Sequence, residues 1–358
     1  MSTEKKWTQV EVVALYNKPI MELVYEAATV HRRYHDPNKV QVSTLISIKT
    51  GGCPEDCAYC PQAARYHTEV KAERLMSVEQ VKAQALAAKA RGSSRICMGA
   101  AWRNVKDGPE FDQVLDMVRT LNRLDMEVCC TLGMLTENQA QRLSEAGLYA
   151  YNHNLDSSAE YYEEIISTRS YNDRLQTIEN VRKTNITVCS GGIIGMGENI
   201  ADRANMLITL AALLPQPESV PINALVPVPG TPMEAMETVS IWEMVRMVAT
   251  TRILLPQTQV RLSAGRSNMS HEGQALCFFA GANSIFAGDK LLTTPNPDIN
   301  EDLAMFKTLG LNLQKPFEKK KQPETIATEA AQYHALGERP QWSRPGHSIG
   351  RNLAKQQE

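Results

Sequence analysis

The feature that most constrains this chain is a group of three cysteines in one short loop. Cys53, Cys57 and Cys60 follow C-x3-C-x2-C spacing directly after an apolar, β-branched run at 42–48. Thiolates this close together on one loop usually share a metal ion or an iron–sulfur cluster. The loop therefore predicts a metal centre at the end of a strand.

The number of cysteine ligands limits which kind of metal centre the loop can hold. Structural zinc sites use four ligands, and the nearest histidine, His67, lies outside the short spacings of zinc fingers. An iron–sulfur cube held by three thiolates keeps one iron open for another ligand. With Tyr59 just before the last cysteine, the loop resembles that of the radical S-adenosylmethionine (SAM) superfamily. A zinc loop and a chance cluster of cysteines are the alternatives.

Composition and charge exclude several classes of protein. The chain has 358 residues and is 43% hydrophobic, which suits one large α/β barrel. Its net charge of -2 gives no indication of a nucleic-acid partner. The sequence contains no long apolar run and begins with a polar segment, so we expect a cytoplasmic protein without a membrane partner. In that reducing compartment, the eight cysteines are expected to be metal ligands or buried thiols.

Strand-like and helix-like segments alternate along the chain. Capping boxes that start at Ser77 and Thr136 predict two helix starts. Eight strands are predicted, at 42–48, 94–100, 126–133, 149–156, 186–194, 220–226, 259–264 and 284–287. This alternation predicts a parallel (β/α)8 TIM-type barrel, with an open doubly wound sheet as the alternative fold.

The order of these segments predicts three regions. Residues 1–40 form an N-terminal helical cap, interrupted at Pro19, and residues 41–313 form the barrel. Residues 314–358 are predicted to be a polar, flexible tail with a short helix near 324–335.

Strand alternation sorts the polar residues of the barrel. In the fourth strand Asn152, Asn154 and Asp156 share one face, where they suit hydrogen bonding to a ligand. His153 falls on the opposite face and is predicted to be a packing residue. Asn223 is a lone polar residue in an apolar strand, so it is expected to face a site or a buried partner. The alternative for the polar face is a satisfied structural network.

Three further cysteines lie in separate predicted strands: Cys97, Cys129 and Cys189. Buried cysteine is often only a small hydrophobe. Arg261 differs, because an arginine inside a barrel stays charged and requires anionic partners. A thiolate-ligated cluster would supply that anion, and Arg95 is expected to add a second positive charge beside Cys97.

The combination of these motifs resembles the biotin synthase family, from about residue 8 to about residue 312. The cysteine loop alone marks only the superfamily. The resemblance is carried by segments 51–62, 96–102, 151–156, 188–192, 220–223, 260–266 and 291–297. It implies an enzyme that uses SAM to insert sulfur into dethiobiotin and so form biotin.

The resemblance implies two clusters. A [4Fe-4S] cluster, whose open iron binds SAM for reductive cleavage, is assigned to Cys53, Cys57 and Cys60. A [2Fe-2S] cluster, the expected sulfur donor, is assigned to Cys97, Cys129, Cys189 and Arg261. Cys130, next to Cys129, is left as a core thiol together with Cys277.

The resemblance also implies ligand contacts and partners. The residues on the SAM side are Tyr59, Asn154, Asp156 and Arg174. The residues on the dethiobiotin side are Asn154 and Asn223 at the ureido ring and Thr293 and Thr294 at the carboxylate. A flavodoxin-type electron donor and a homodimer are expected. Rival interpretations are another radical SAM barrel and an iron–sulfur or zinc carrier.

Overall fold

The centre of the fold is a closed barrel of parallel strands. A computed structural model describes residues 5–288 and 290–318. Within these residues eight strands pair in sequence order, and the first also pairs with the last, which closes the barrel. They are β1 (Lys39–Lys49), β2 (Arg95–Ala100), β3 (Glu127–Thr131), β4 (Ala150–Asn152), β5 (Thr187–Cys189 and Gly192–Ile194), β6 (Ser219–Ala224), β7 (Gln259–Leu262) and β8 (Ser284–Ala287). The predicted barrel is confirmed, and the open sheet is not the fold.

The helices follow the predicted alternation with the strands. The two predicted capping boxes both form, at Ser77 and Thr136. The helices are α1 (Gln9–Tyr16), α2 (Ile20–Tyr34), α3 (Val78–Ala90), α4 (Pro109–Asn122), α5 (Glu137–Glu145), α6 (Tyr162–Ile165), α7 (Tyr171–Arg182), α8 (Ile200–Ala212), α9 (Ile241–Leu254), α10 (His271–Phe279) and α11 (Ile299–Leu309). Within the described residues, each helix is too short or too polar to cross a membrane.

The N-terminal helices cover the outside of the barrel. Pro19 separates α1 from α2, as the sequence predicts. Helix α2 packs on α9 and buries Leu23, Val24 and Ala27, while α1 packs on α8. The domain boundaries at residues 40 and 313 stay predictions. Most of the predicted tail, including the helix near 324–335, lies outside the described residues.

Strands β4 and β5 are shorter than predicted. The regular ladder of β4 ends at Asn152, and β5 is broken between Cys189 and Gly192. At this break only glycine fits at position 191, because a Cβ there would lie 2.0 Å from the carbonyl oxygen of Pro221. The backbone N–H of Gly191 leaves the strand ladder and donates to Asn154 Oδ1 at 3.1 Å. The sheet is therefore irregular where β4 and β5 border the barrel cavity.

A cluster of ion pairs lies at the N-terminal ends of β2, β3 and β6, inside the barrel. Arg95 Nε donates to Glu127 Oε2 at 2.8 Å, and its two other nitrogens donate to Glu218 at 3.1 Å each. Arg95 lies inside the barrel near Cys97 and contributes to lowering the pKa of that thiol, as expected. Its pairing with two carboxylates was not predicted, since neither glutamate is near Arg95 in sequence.

The substitution Arg95→Met is expected to destabilise the fold strongly. It leaves the buried Glu127 without its cation, and breaking such a buried pair costs about 3–5 kcal/mol of unfolding free energy. Urea unfolding measures the change. Arg91→Met, at an exposed position, is the control. Equal midpoints for the two variants would contradict this role of Arg95.

Candidate active site

The candidate site is a cavity of about 270 Å³ inside the barrel. The loop after β1 contributes Cys53, Cys57 and Cys60 to its wall. Strands β2 and β3 contribute Cys97 and Cys129. Two sets of thiols that are far apart in sequence therefore border one cavity, as the barrel topology allows.

The cysteine loop is held in shape by its own backbone. Gly51 has φ 68°, and a Cβ there would lie 2.8 Å from the carbonyl oxygen of Lys71. The Cys53 N–H donates to the Gln62 carbonyl, and the Cys60 N–H donates to the Cys57 carbonyl, each at 2.9 Å. These contacts present three thiols to one cavity.

The chemistry of this donor set fits an iron–sulfur cluster. Three soft sulfur ligands on one wall, with space beside them, are what a cluster with one open iron requires. Among the described residues, no group of three His, Cys, Asp or Glu side chains could hold a metal ion as the side chains stand. Burial raises the pKa of Cys57 to about 11 and that of Cys60 to about 12, so cluster binding must release these protons.

Asp56 ties the cysteine loop to the segment before α7. Its carboxylate accepts hydrogen bonds from the backbone N–H groups of Ser167 and Thr168, at 3.0 and 3.1 Å. Burial raises the pKa of Asp56, but hydrogen bonds from Ser167 and Thr168 outweigh burial and lower the pKa to about 2. This stabilisation is complete above the ordinary pKa of 3.8 and is lost as the pH falls through about 2.

Beyond the end of β4, Asp156 forms a buried ion pair. Tyr59 Oη donates to Asp156 Oδ2 at 2.9 Å, and Arg174 pairs with the same carboxylate. Arg174 Nε also donates to Tyr162 Oη at 2.8 Å. Asn154 lines the cavity beside them. The four residues predicted on the SAM side thus lie together.

The interior thiols form a second group. A hydrogen bond with Cys129, together with the nearby charge of Arg261, lowers the pKa of the Cys97 thiol to about 7 against the effect of burial. The same hydrogen bond and burial raise the pKa of Cys129. Cys189 Sγ accepts from Asn152 Nδ2 at 3.2 Å. Cys97 is therefore the thiol of this pair that ionises more readily.

Arg261 reaches this thiol group from β7. Its Nη1 donates to Cys189 Sγ at 3.8 Å, Nε donates to Ser284 at 2.9 Å, and Nη2 donates to Gln41 at 3.0 Å. The side chain is fully buried, and no carboxylate pairs with it among the described residues. A buried cation beside thiols favours their thiolate forms. Cys130 packs in the hydrophobic core instead, as predicted.

Comparison with curated proteins identifies the family. A biotin synthase of Christiangramia forsetii is 75% identical over 357 residues, covering 100% of this chain and 98% of the relative. A biotin synthase of Flavobacterium psychrophilum is 74% identical and covers 97% of this chain and 96% of its own. The chain belongs to the biotin synthase family. The first match also extends past residue 312, where the recognisable motifs end.

Domain patterns and solved structures agree with this assignment. The Radical SAM superfamily pattern matches residues 47–210, and the Biotin and Thiamin Synthesis associated domain matches residues 221–312. The chain is therefore a radical SAM enzyme of biotin synthesis. Methylornithine synthase has a similar fold, with a TM-score of 0.72 at 17% identity, covering 88% of this chain and 95% of that one. The hydrogenase maturase HydG of Carboxydothermus hydrogenoformans has a TM-score of 0.73 at 16% identity, covering 87% of this chain and 76% of its own.

Two further residues of the cavity wall were not predicted from the biotin synthase motifs. His153 was predicted to be a packing residue on the face of Tyr151, and its buried ring does stack on the Tyr151 ring, with the centroids 6.3 Å apart. The residue also borders the cavity, which was not predicted, because the regular β4 ladder ends at Asn152. Burial lowers the pKa of His153, as do Arg174 and Arg169, so the ring is neutral. Arg169 also lines the cavity, and no local pattern marked it.

The residues predicted to bind dethiobiotin are less closely gathered. Asn223 Nδ2 donates to the Gly192 carbonyl at 3.0 Å, and its Oδ1 accepts from the Ala264 N–H at 3.1 Å. Thr293 and Thr294 lie at the tip of a hairpin formed by Lys290–Leu291 and Thr294–Pro295. The neighbouring Leu292, rather than either threonine, lines the cavity.

The substitution Asp56→Ala is expected to loosen the cysteine loop. It removes the acceptor for Ser167 and Thr168, and loss of such support to metal ligands typically weakens a site about 10-fold or more. We expect an iron-loaded sample to lose iron to a chelator about 10-fold faster than the unmodified protein. Asp116→Ala, an exposed carboxylate on α4, is the control. Identical rates for the two variants would contradict the role of Asp56.

Proposed function

We propose that this enzyme inserts sulfur into dethiobiotin by using its two groups of thiols for different steps, one for radical generation and the other for sulfur donation. The observation that carries the proposal is that the three loop thiols and two of the interior thiols, Cys97 and Cys129, line the same cavity. A radical generated at one group can then reach a substrate carbon that is also close to the sulfur at the other. Such proximity replaces a diffusional encounter of reactive species with a fixed geometry.

The loop cysteines Cys53, Cys57 and Cys60 are proposed to hold the [4Fe-4S] cluster. When bound there, the cluster would supply the single electron needed to cleave SAM. Asn154 and Asp156 would bind the ribose hydroxyls, with Tyr59 fixing the orientation of Asp156. Arg174 would meet the SAM carboxylate. The ion pair between Arg174 and Asp156 supports this role, because it already holds both side chains in the cavity wall that the loop cysteines also line.

The interior thiols are proposed to hold the [2Fe-2S] cluster that donates sulfur. Its ligands would be Cys97, Cys129, Cys189 and Arg261. Two observations support Arg261 as a ligand. It lacks a carboxylate partner among the described residues, and hydrogen bonds to Ser284 and Gln41 hold its guanidinium in place. Its charge would be compensated by a thiolate-ligated anionic cluster.

Dethiobiotin is proposed to lie between the two groups. Asn154 and Asn223 would hydrogen-bond the ureido ring, and Thr293 and Thr294 would bind the carboxylate. Asn223 would have to give up its contacts with the backbone of Gly192 and Ala264. Leu292 would cover the apolar part of the ligand and exclude water from the radical chemistry. The flavodoxin-type electron donor, the homodimer and the cytoplasmic location stay predictions from the family resemblance.

An anaerobic assay tests the proposed function. The iron-loaded protein is incubated with SAM, dithionite and dethiobiotin, and 5′-deoxyadenosine and biotin are quantified together. The proposal predicts both products. Deoxyadenosine without biotin would leave a radical SAM enzyme with another substrate. Absence of both products from fully loaded protein would favour an iron–sulfur carrier.

A further inference from the structure

Arg169 is a cation of the cavity wall that the proposed reaction does not use. Its side chain is 8% exposed, and its Nη1 lies 3.9 Å from Glu55 Oε1. Its Nη2 lies 4.0 Å from Cys57 Sγ. The Nε–H is buried and has no hydrogen-bond partner among the described residues. A buried donor of this kind needs an acceptor, and anything held on the neighbouring thiols would supply one.

The balance of charge around Arg169 is positive. Arg174, the other buried cation nearby, is neutralised by Asp156. Glu55 is shared between Arg169 and Arg103, whose Nε lies 3.8 Å from the same carboxylate oxygen. One carboxylate therefore faces two guanidinium groups, which leaves uncompensated positive charge beside the Cys57 thiol.

We propose that Arg169 is a positioning residue that raises the reduction potential of the cluster on Cys53, Cys57 and Cys60. The inference rests on the proposed function, which assigns the cluster to these thiols. A [4Fe-4S] cluster with three thiolate ligands carries a net negative charge, and reduction adds another. A fixed cation stabilises the more negative, reduced form more strongly, and hydrogen bonds to sulfur act in the same direction.

Redox titration of the first cluster tests this inference without turnover. The midpoint potential is measured by electron paramagnetic resonance in a Cys189→Ala background, which removes a proposed ligand of the second cluster. Arg169→Gln and Arg169→Lys are compared with Arg182→Gln. Arg182 is a matched control because its Nε is also buried without a partner, but it lies at the end of α7 and pairs with Glu179.

The outcomes separate the inference from the proposed function. A lower potential in Arg169→Gln, with potentials near the parent value in Arg169→Lys and Arg182→Gln, supports the role of Arg169. An unchanged potential in Arg169→Gln overturns it. If Arg169→Gln takes up no cluster, the Arg169→Lys variant decides between the outcomes. Cluster uptake with a near-parent reduction potential supports a role of the positive charge. Failure to take up the cluster, or a large drop in its reduction potential, contradicts that role. A parent protein with no [4Fe-4S] signal would contradict the proposed function itself.

Discussion

Cys57→Ala is expected to abolish cleavage of SAM. The substitution removes one of three thiols available to the cluster, and the loop offers no fourth cysteine as a replacement. Loss of supporting contacts alone lowers the activity of metal sites by about 10- to 100-fold, so loss of a ligand should cost more than about 100-fold. Quantification of 5′-deoxyadenosine and of bound iron measures the effect.

The matched control for Cys57→Ala is Cys277→Ala. Cys277 is also a buried thiol, but it lies on α10, outside the cavity wall. This variant should keep its iron and most of its SAM cleavage. Deoxyadenosine formation by Cys57→Ala at the rate of the control would contradict the assignment of the cluster to the loop.

Cys189→Ala is expected to separate the two halves of the reaction. The loop cysteines proposed to hold the [4Fe-4S] cluster are untouched, so SAM cleavage should remain measurable. The interior site loses the sulfur that accepts hydrogen bonds from Asn152 and Arg261. We therefore expect biotin formation to fall below detection, measured in the same samples as deoxyadenosine.

Cys130→Ala is the control for this second prediction. Its thiol is as deeply buried as that of Cys129 but belongs to the hydrophobic core. The control should form both products. Biotin made by purified Cys189→Ala protein would rule out Cys189 as an essential ligand of the sulfur donor.

Local patterns in the sequence were sufficient to predict the barrel and the positions of most of the thiols within it. The spacing of Cys53, Cys57 and Cys60 is a property of one loop. Strand parity also separated Cys129 from Cys130 correctly, because β3 is regular where both residues lie. Where the placement of a side chain depends on adjacent residues, the sequence was sufficient to predict it.

Features that depend on distant residues were predicted poorly. The place of His153 beside the cavity was not predicted, because β4 ends one residue earlier. The pairing of Arg95 with Glu127 and Glu218, which come from other parts of the chain, was not predicted either. Arg169 follows no motif, and its proposed role depends on Glu55 and Cys57 beside it. These gaps reflect tertiary contacts that no local periodicity encodes.

The most direct test of the account is the origin of the sulfur in biotin. The protein is reconstituted with iron and sulfide labelled with sulfur-34, freed of excess sulfide, and allowed one anaerobic turnover with SAM and dethiobiotin. Mass spectrometry of the product then reports the isotope. The account predicts biotin that carries sulfur-34, and none from labelled Cys189→Ala protein. Unlabelled biotin from a protein whose clusters are fully labelled would contradict the division of labour between the two groups of thiols.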